Sequence, residues 1–225
     1  MYLKSAKSPV HAEPLHTSIG EKFVISAICD AINKSNIIIC DLTTLNHNVL
    51  FALGYSIAKK RRIWIILDPN IDTAKNDYEK FKLLTTVGYT QYSNSREITE
   101  AFYKYEPYND LHNTIYKDAI ESVIMAKVPS RLLYLKSGIE TDASIKLSRR
   151  INETLMPCIM DDPKEVRIQT LSWYAEKVFN SNAVIVHFLS SSHKDWKLHN
   201  AKKSFVSGFP PCNSYKYYFG NNYFR

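Results

Sequence analysis

Two groups of residues in this chain have types and spacings that could do chemistry. The first lies within Ser35–Asp68, where an apolar run, Ile37-Ile38-Ile39-Cys40, ends on Asp41. Leu42-Thr43-Thr44, the loop Leu45-Asn46-His47 and an apolar helix-like segment follow. A carboxylate at the end of a buried strand, just ahead of a helix, stands where open parallel sheets hold their ligands. Thr43, Asn46 and Asn48 bring a hydroxyl and two amides to the same place, although Asn46 or Asn48 also serves as N-cap. On the helix, Asn48, Ala52, Ser56 and Lys59 form a more polar stripe. Position 52 is therefore expected in the first turn, aimed at the crevice and away from the core. The second group is His187, His193, Asp195 and His199. Such histidines suit acid–base work or a metal, but their spacing matches no familiar zinc set and no cysteine joins them, so no metal centre is expected.

The elements that position these residues follow from periodicity. Val10–His16 reads as a short edge strand limited by Pro14. A helix over Ile19–Asn33 follows from Phe23, Val24, Ala27, Ile28 and Ala31. Ile37–Cys40, apolar throughout, reads as a central parallel strand covered on both faces. Val49, Leu53 and Ile57 turn the next helix toward the sheet, with Gly54 allowing close approach of helix to strand. Ile63–Leu67 is a second buried strand, ended by Asp68-Pro69-Asn70. Tyr78–Leu84 reads as a helix, Tyr89–Tyr92 as a strand, Ser95–Tyr105 as a helix and His112–Met125 as a connecting helix.

The order then repeats. Arg131–Leu135 is a strand, Ser144–Glu153 a helix, Leu155–Met160 a strand, Asp161-Asp162-Pro163 a turn and Glu165–Asn180 a helix. Ser181–His187 echoes Ser35–Asp41, so His187 falls where Asp41 stands. Further on, Phe205 aligns with Phe51, Val206 with Ala52 and Gly208 with Gly54. The loop between is lengthened by Ser190–Ser192. Such self-similarity is the mark of a duplicated unit. The expected class is α/β with parallel, doubly wound sheets in two related units: residues 1–110, a connecting helix over 111–129, and a degenerate second unit over 130–225. The first unit is expected to be abbreviated or to begin outside the chain. The second is expected to end incompletely, in the aromatic tail Tyr215–Arg225.

Bulk properties narrow the classes. An apolar share of 45% is that of an ordinary globular protein, and no apolar run approaches membrane-spanning length. MYLKSAKSPV has a basic start without an apolar core behind it, so no secretory signal and a cytoplasmic location are expected. The four cysteines, Cys29, Cys40, Cys158 and Cys212, lie far apart and read as reduced thiols. A net charge of +7 favours anionic partners. Lys59-Lys60-Arg61-Arg62 supplies much of its local density, at a helix C-terminus that suits cations. No basic stripe with interleaved aromatics appears, so nucleic acid is not supported directly.

The run from Asp41 to Asp68, DLTTLNHNVLFALGYSIAKKRRIWIILD, resembles the TIR-like and nucleoside 2-deoxyribosyltransferase-like proteins. Their pattern is an apolar strand, Asp-Leu-Thr, a loop with Asn-x-Asn-Val and a helix opening on Glu-Leu-Gly-Tyr. Leu83–Glu97 fits the trailing part of that domain, and the likeness covers roughly residues 10–105. The resemblance implies a flavodoxin- or TIR-type fold and cleavage of an N-glycosidic bond in NAD, a nucleoside or a nucleotide. The nucleotide is then substrate, with no resident cofactor. Asp41 would bind ribose hydroxyls or orient the catalytic group, Thr43, Asn46 and Asn48 would line the pocket, and Tyr55 would pack over a base. The family's catalytic glutamate corresponds to Ala52. A carboxylate there would stabilise positive charge at the anomeric carbon, which alanine cannot do. Either the alanine was introduced to silence the enzyme, as the intact remainder of the motif suggests, or the protein is naturally inactive. The resemblance also implies a role in prokaryotic antiviral defence, with homo-oligomers or larger assemblies as partners. The alternatives are a silent nucleotide-sensing or scaffold module, or a nucleoside 2-deoxyribosyltransferase.

Overall fold

The computed structural model of the chain describes residues 2–4, 9–11, 24–84, 86–124, 131–154, 157–161, 169–210 and 217–220. The elements run β1 (Tyr2–Lys4), β2 (Pro9–His11), α1 (Val24–Lys34), β3 (Ile37–Asp41), α2 (His47–Ala58), β4 (Arg62–Leu67), α3 (Ala74–Phe81), β5 (Thr90–Gln91), α4 (Ser95–Tyr105) and α5 (Ile115–Ala119). They continue with β6 (Arg131–Leu135), α6 (Asp142–Glu153), β7 (Cys158–Asp161), α7 (Leu171–Phe179), β8 (Ser181–His187), α8 (Trp196–Ser207) and β9 (Tyr217–Gly220). β1 and β2 pair antiparallel. β3, β4 and β5 form a parallel sheet in that order, and a second parallel sheet has the order β7-β6-β8-β9. The class is thus α/β, with two parallel sheets in two related units.

Helices cover β4, the central strand of the first sheet, on both faces. β4 sends Ile65 and Leu67 into the main core, while Trp64 and Ile66 pack with Phe102 of α4 on the opposite side. Asn94 caps α4 by accepting from the amides of Arg96 and Glu97, and the helix keeps the bounds its sequence implies. β3 differs from expectation. Among the described residues it pairs with β4 alone, and its burial alternates, leaving Ile39 38% exposed. The α4 cluster reaches Ile37 but not Ile39, so β3 is covered on one face only.

Several boundaries shift for local reasons. α3 starts earlier because Ala74, Tyr78 and Phe81 form its buried stripe, and the left-handed Lys82 (φ 62°) stops it before Leu84. The expected connecting helix is only Ile115–Ala119, capped by Thr114. α7 starts at Leu171, where Thr170 accepts from the Trp173 amide. Of the expected first helix, 19–23 lie outside the described residues, as do 12–16, 125–129, 155–156 and 162–168 of other expected elements. Within the tail, Tyr217–Gly220 forms β9 beside β8, the strand that the repeat calls for and that β4 provides beside β3.

The two units share one apolar cluster, running from Ile28 in α1 to Phe209 after α8. Its centre is α2 against α8. A Cβ built on Gly54 would lie 2.1 Å from the Phe205 carbonyl oxygen, and one on Gly208 would lie 2.2 Å from that of Phe51. The paired positions of the repeat therefore touch reciprocally, as in a two-fold interface. Gly54 serves an approach of helix to helix, not of helix to strand. At the other end of the seam, His47 of α2 meets Trp196 of α8 edge-on, with ring centroids 5.9 Å apart. The two helices thus run side by side in the same direction. Gly54→Ala or Gly208→Ala is expected to cost about 3 kcal/mol or more, because backbone must move to admit a methyl group. Gly88→Ala, with nothing within 4 Å, is expected to be close to neutral; denaturant titration of the three variants checks this.

Candidate active site

At the carboxyl edge of the first sheet, Asp41 closes β3, and the Leu42 amide donates to the Ile66 carbonyl of β4 at 3.0 Å. Thr43 donates to Asp41 Oδ1 through its amide (3.0 Å) and its hydroxyl (2.5 Å), and the Tyr92 hydroxyl donates to Oδ2 at 2.5 Å. The Asp68 amide donates to Thr43 Oγ1 at 2.9 Å. The ends of three strands are thereby tied through one carboxylate. Burial, then the hydrogen bond and charge of Asp41, push the Tyr92 hydroxyl up to about 12, so at neutral pH it stays a donor. Residues distant in sequence make this cluster: Asp68 and Tyr92 join Asp41 and Thr43 because β3, β4 and β5 lie side by side. The Asp after β4 and the Tyr after β5, each at a strand end, are the only signals that point to them.

Asn46 is the N-cap of α2, its side chain accepting from the amides of Asn48 and Val49, and Asn48 is exposed. Tyr55 is not at this edge: it shares hydrogen bonds with Asn33 (3.1 and 3.4 Å) near the C-terminus of α1, before β3 begins. Ala52 also departs from expectation. With α2 starting at His47, it is the sixth helical residue and falls in the second turn. It is 3% exposed and belongs to the main apolar cluster. The polar stripe therefore does not open onto a crevice at this position. Ser56, of the same stripe, is buried and donates to the Ala52 carbonyl at 2.6 Å.

The second unit has its own polar edge. Chain order reverses between β6 and β8, since β7 lies on the far side of β6; such a switch point is where ligands of open α/β sheets bind. His187 ends β8 there, with Nδ1 3.2 Å from Ser137 Oγ and 3.4 Å from the Tyr134 hydroxyl. Ser137 donates to the Ile139 carbonyl at 2.7 Å, so its oxygen is left to accept from His187. The Nε2 of His187 is buried without a partner among the described residues. His199 Nε2 donates to the His187 carbonyl at 2.9 Å, and the Asn200 side chain clamps both the amide and the carbonyl of Leu189. Beneath, Lys203 Nζ lies 2.6 Å from Asp161 Oδ2, which also accepts from Tyr174 at 3.0 Å. This buried pair is illegible in a single sequence, because its members lie on a strand and a helix of different repeats of the βα pattern. His193 and Asp195 lie in the loop before α8, and Val206 is buried.

Two clefts lie elsewhere. One of about 580 Å³ opens beside β5 and α4, lined by Thr90, Glu97 and Lys104. The other, of about 570 Å³, is at the amino edge of the first sheet. Neither includes Asp41 or Ala52. Among the described residues no helix is long and apolar enough to cross a membrane. Compared with protein-family models, curated proteins and solved structures, the chain matches none.

Two outcomes follow. Ala52→Glu is expected to lower stability by about 3 kcal/mol or more, since it sets a carboxylate among apolar side chains; a urea titration reads this, and unchanged stability would mean that position 52 is open. The second concerns pH. Burial holds His199 down from 6.5 to about 4 and lowers His187 too, with Lys203 adding to both. The unfolded chain then takes up protons first, so stability is full above pH 6.5 and falls as pH drops toward 4. His199→Gln is expected to flatten that slope, with wild type and variant compared by urea midpoint at successive pH values.

Proposed function

We propose that this chain is a catalytically silent member of the nucleotide N-glycosidase group that its first unit resembles. It binds NAD, ADP-ribose or a related nucleotide without cleaving it. What carries the reading is the assembly of Asp41, Thr43, Asp68 and Tyr92 at the carboxyl edge of a parallel sheet, next to a helix whose expected carboxylate position is the buried Ala52. Asp41 is exposed and retains acceptor capacity on Oδ2 beyond the Tyr92 bond, which suits ribose hydroxyls. A negative group held against the reacting face of the sugar is what glycosidic cleavage requires, and α2 offers none in its first turn. The enclosed packing around Ala52 also favours natural silence over a recently emptied pocket. The setting proposed is the cytoplasm of a prokaryote, in antiviral defence, where a silent unit acts as nucleotide sensor or scaffold.

Calorimetry with NAD and ADP-ribose tests this, alongside chromatography for released nicotinamide. Saturable binding without nicotinamide release is expected, with Asp41→Asn weakening binding about tenfold through loss of charge-assisted hydrogen bonds. Nicotinamide release by the unaltered chain would overturn the silence. Absence of binding by any nucleotide would overturn the nucleotide reading.

A further inference from the structure

At the amino edge of the first sheet, opposite the edge that holds Asp41, a cleft of about 570 Å³ is lined by Lys60, Arg61, Arg62, Tyr108, Asp110 and Thr114. That volume lies in the range of small-molecule sites. Its electrostatics are not balanced. Arg62 is satisfied by Asp110, with Nε and Nη2 each 2.9 Å from Oδ1, and by the His112 carbonyl at 3.0 Å. Lys60 and Arg61 have no carboxylate partner among the described residues. Three cations against one acid leave two positive charges on the lining.

Closing the end of α2 does not account for them. Its last carbonyls are taken by backbone amides: Lys59 donates to Tyr55, Lys60 to Ile57 and Arg61 to Ser56, each at 2.9 Å. Arg61 Nη2 donates to the Asn33 carbonyl at 2.6 Å, which holds the guanidinium in place. Its Nε, however, is buried without an acceptor among the described residues. A buried donor without an acceptor costs about 1–3 kcal/mol, and a guanidinium fixed at one end is a preorganised fork for phosphate oxygens. The Lys60 ammonium stands 4.7 Å from the Tyr116 ring centroid. The Thr114 oxygen accepts from the Lys117 amide, so its hydrogen remains to donate. Tyr108, 44% exposed, offers an aromatic face beside these groups.

We propose that this cleft binds a small phosphorylated ligand, its phosphate oxygens taken by Arg61, Lys60 and Thr114. The site is separate from the nucleotide edge at Asp41 and does not depend on it. Pyrophosphate and ADP, titrated calorimetrically into the full chain at low ionic strength, test the proposal. Two variants serve. Lys60→Gly removes a charge at a residue whose φ is 59°, a backbone that glycine adopts without strain. Arg61→Lys keeps the charge and removes the Nε donor. Saturable binding by the unaltered chain is expected, weakened at least about tenfold in each variant. ADP binding tighter than pyrophosphate assigns a nucleoside phosphate; equal binding assigns the phosphates alone, and either supports the site. If neither ligand binds saturably, or if Lys60→Gly, verified as folded by its thermal melt, binds like wild type, the proposal is overturned. A loss in Asp41→Asn but not in the Lys60 and Arg61 variants would overturn it too, and would assign the binding to the other edge.

Discussion

The backbone contact between α2 and α8 is the constraint on which the rest of this structure depends. Gly54 and Gly208 each lie where a methyl group would meet a carbonyl oxygen of the opposite helix, so the helices approach as closely as backbone allows. Everything packed on them inherits that spacing. Phe81, Phe205, Phe209 and Phe179 follow one another in edge-on contacts of 5.6–6.0 Å, carrying the core from α3 of the first unit to α7 of the second. Lys197 of α8 and Asp77 of α3 add an ion pair between the two units at 3.1 Å. An exposed pair of this kind contributes little; apolar burial and the glycine contact carry the association.

The same constraint explains why two related units have unlike polar edges. Both helices start at one end of the seam, so both sheets present their carboxyl edges there. In the first unit the edge is a surface carboxylate that organises three strand ends through neutral donors. In the second, a lysine and an aspartate are enclosed together, at 5% and 7% side-chain exposure, and two imidazoles beside them are kept neutral by burial. A buried pair of this sort adds little net stability but is costly to break. The first edge is thus built to meet solvent and solutes, and the second chiefly to hold itself together.

Legibility in the sequence followed the range of the interactions. Ser95–Tyr105, Arg131–Leu135 and Ser181–His187 were legible to the residue, because local periodicity and caps set them. The pairing of Phe51 with Phe205 and Gly54 with Gly208 was legible as a pattern, but its meaning, one helix resting on the other, was not. Ala52 is the clearest case. Its neighbours on the helix suggested a polar, outward stripe, yet Ala52 and Ser56 are both buried, because tertiary packing covers a face that helical periodicity alone marks as polar. Ile39 errs in the opposite direction: an unbroken apolar run implied two covered faces, whereas the helix that would cover it lies over β4. Asp41 and Thr43 were legible as a strand-end motif; Tyr92 and Asp68 entered only through sheet order.

The open face of β3 has a consequence of its own. Ile39 is exposed on a strand whose only neighbour, among the described residues, is β4. Such an edge offers a row of backbone donors and acceptors to any extended segment that comes alongside. Nothing about the glycine seam or the polar edges would need to change to admit one. Among the described residues, that lateral margin of β3 is therefore where the sheet has room to grow by another strand.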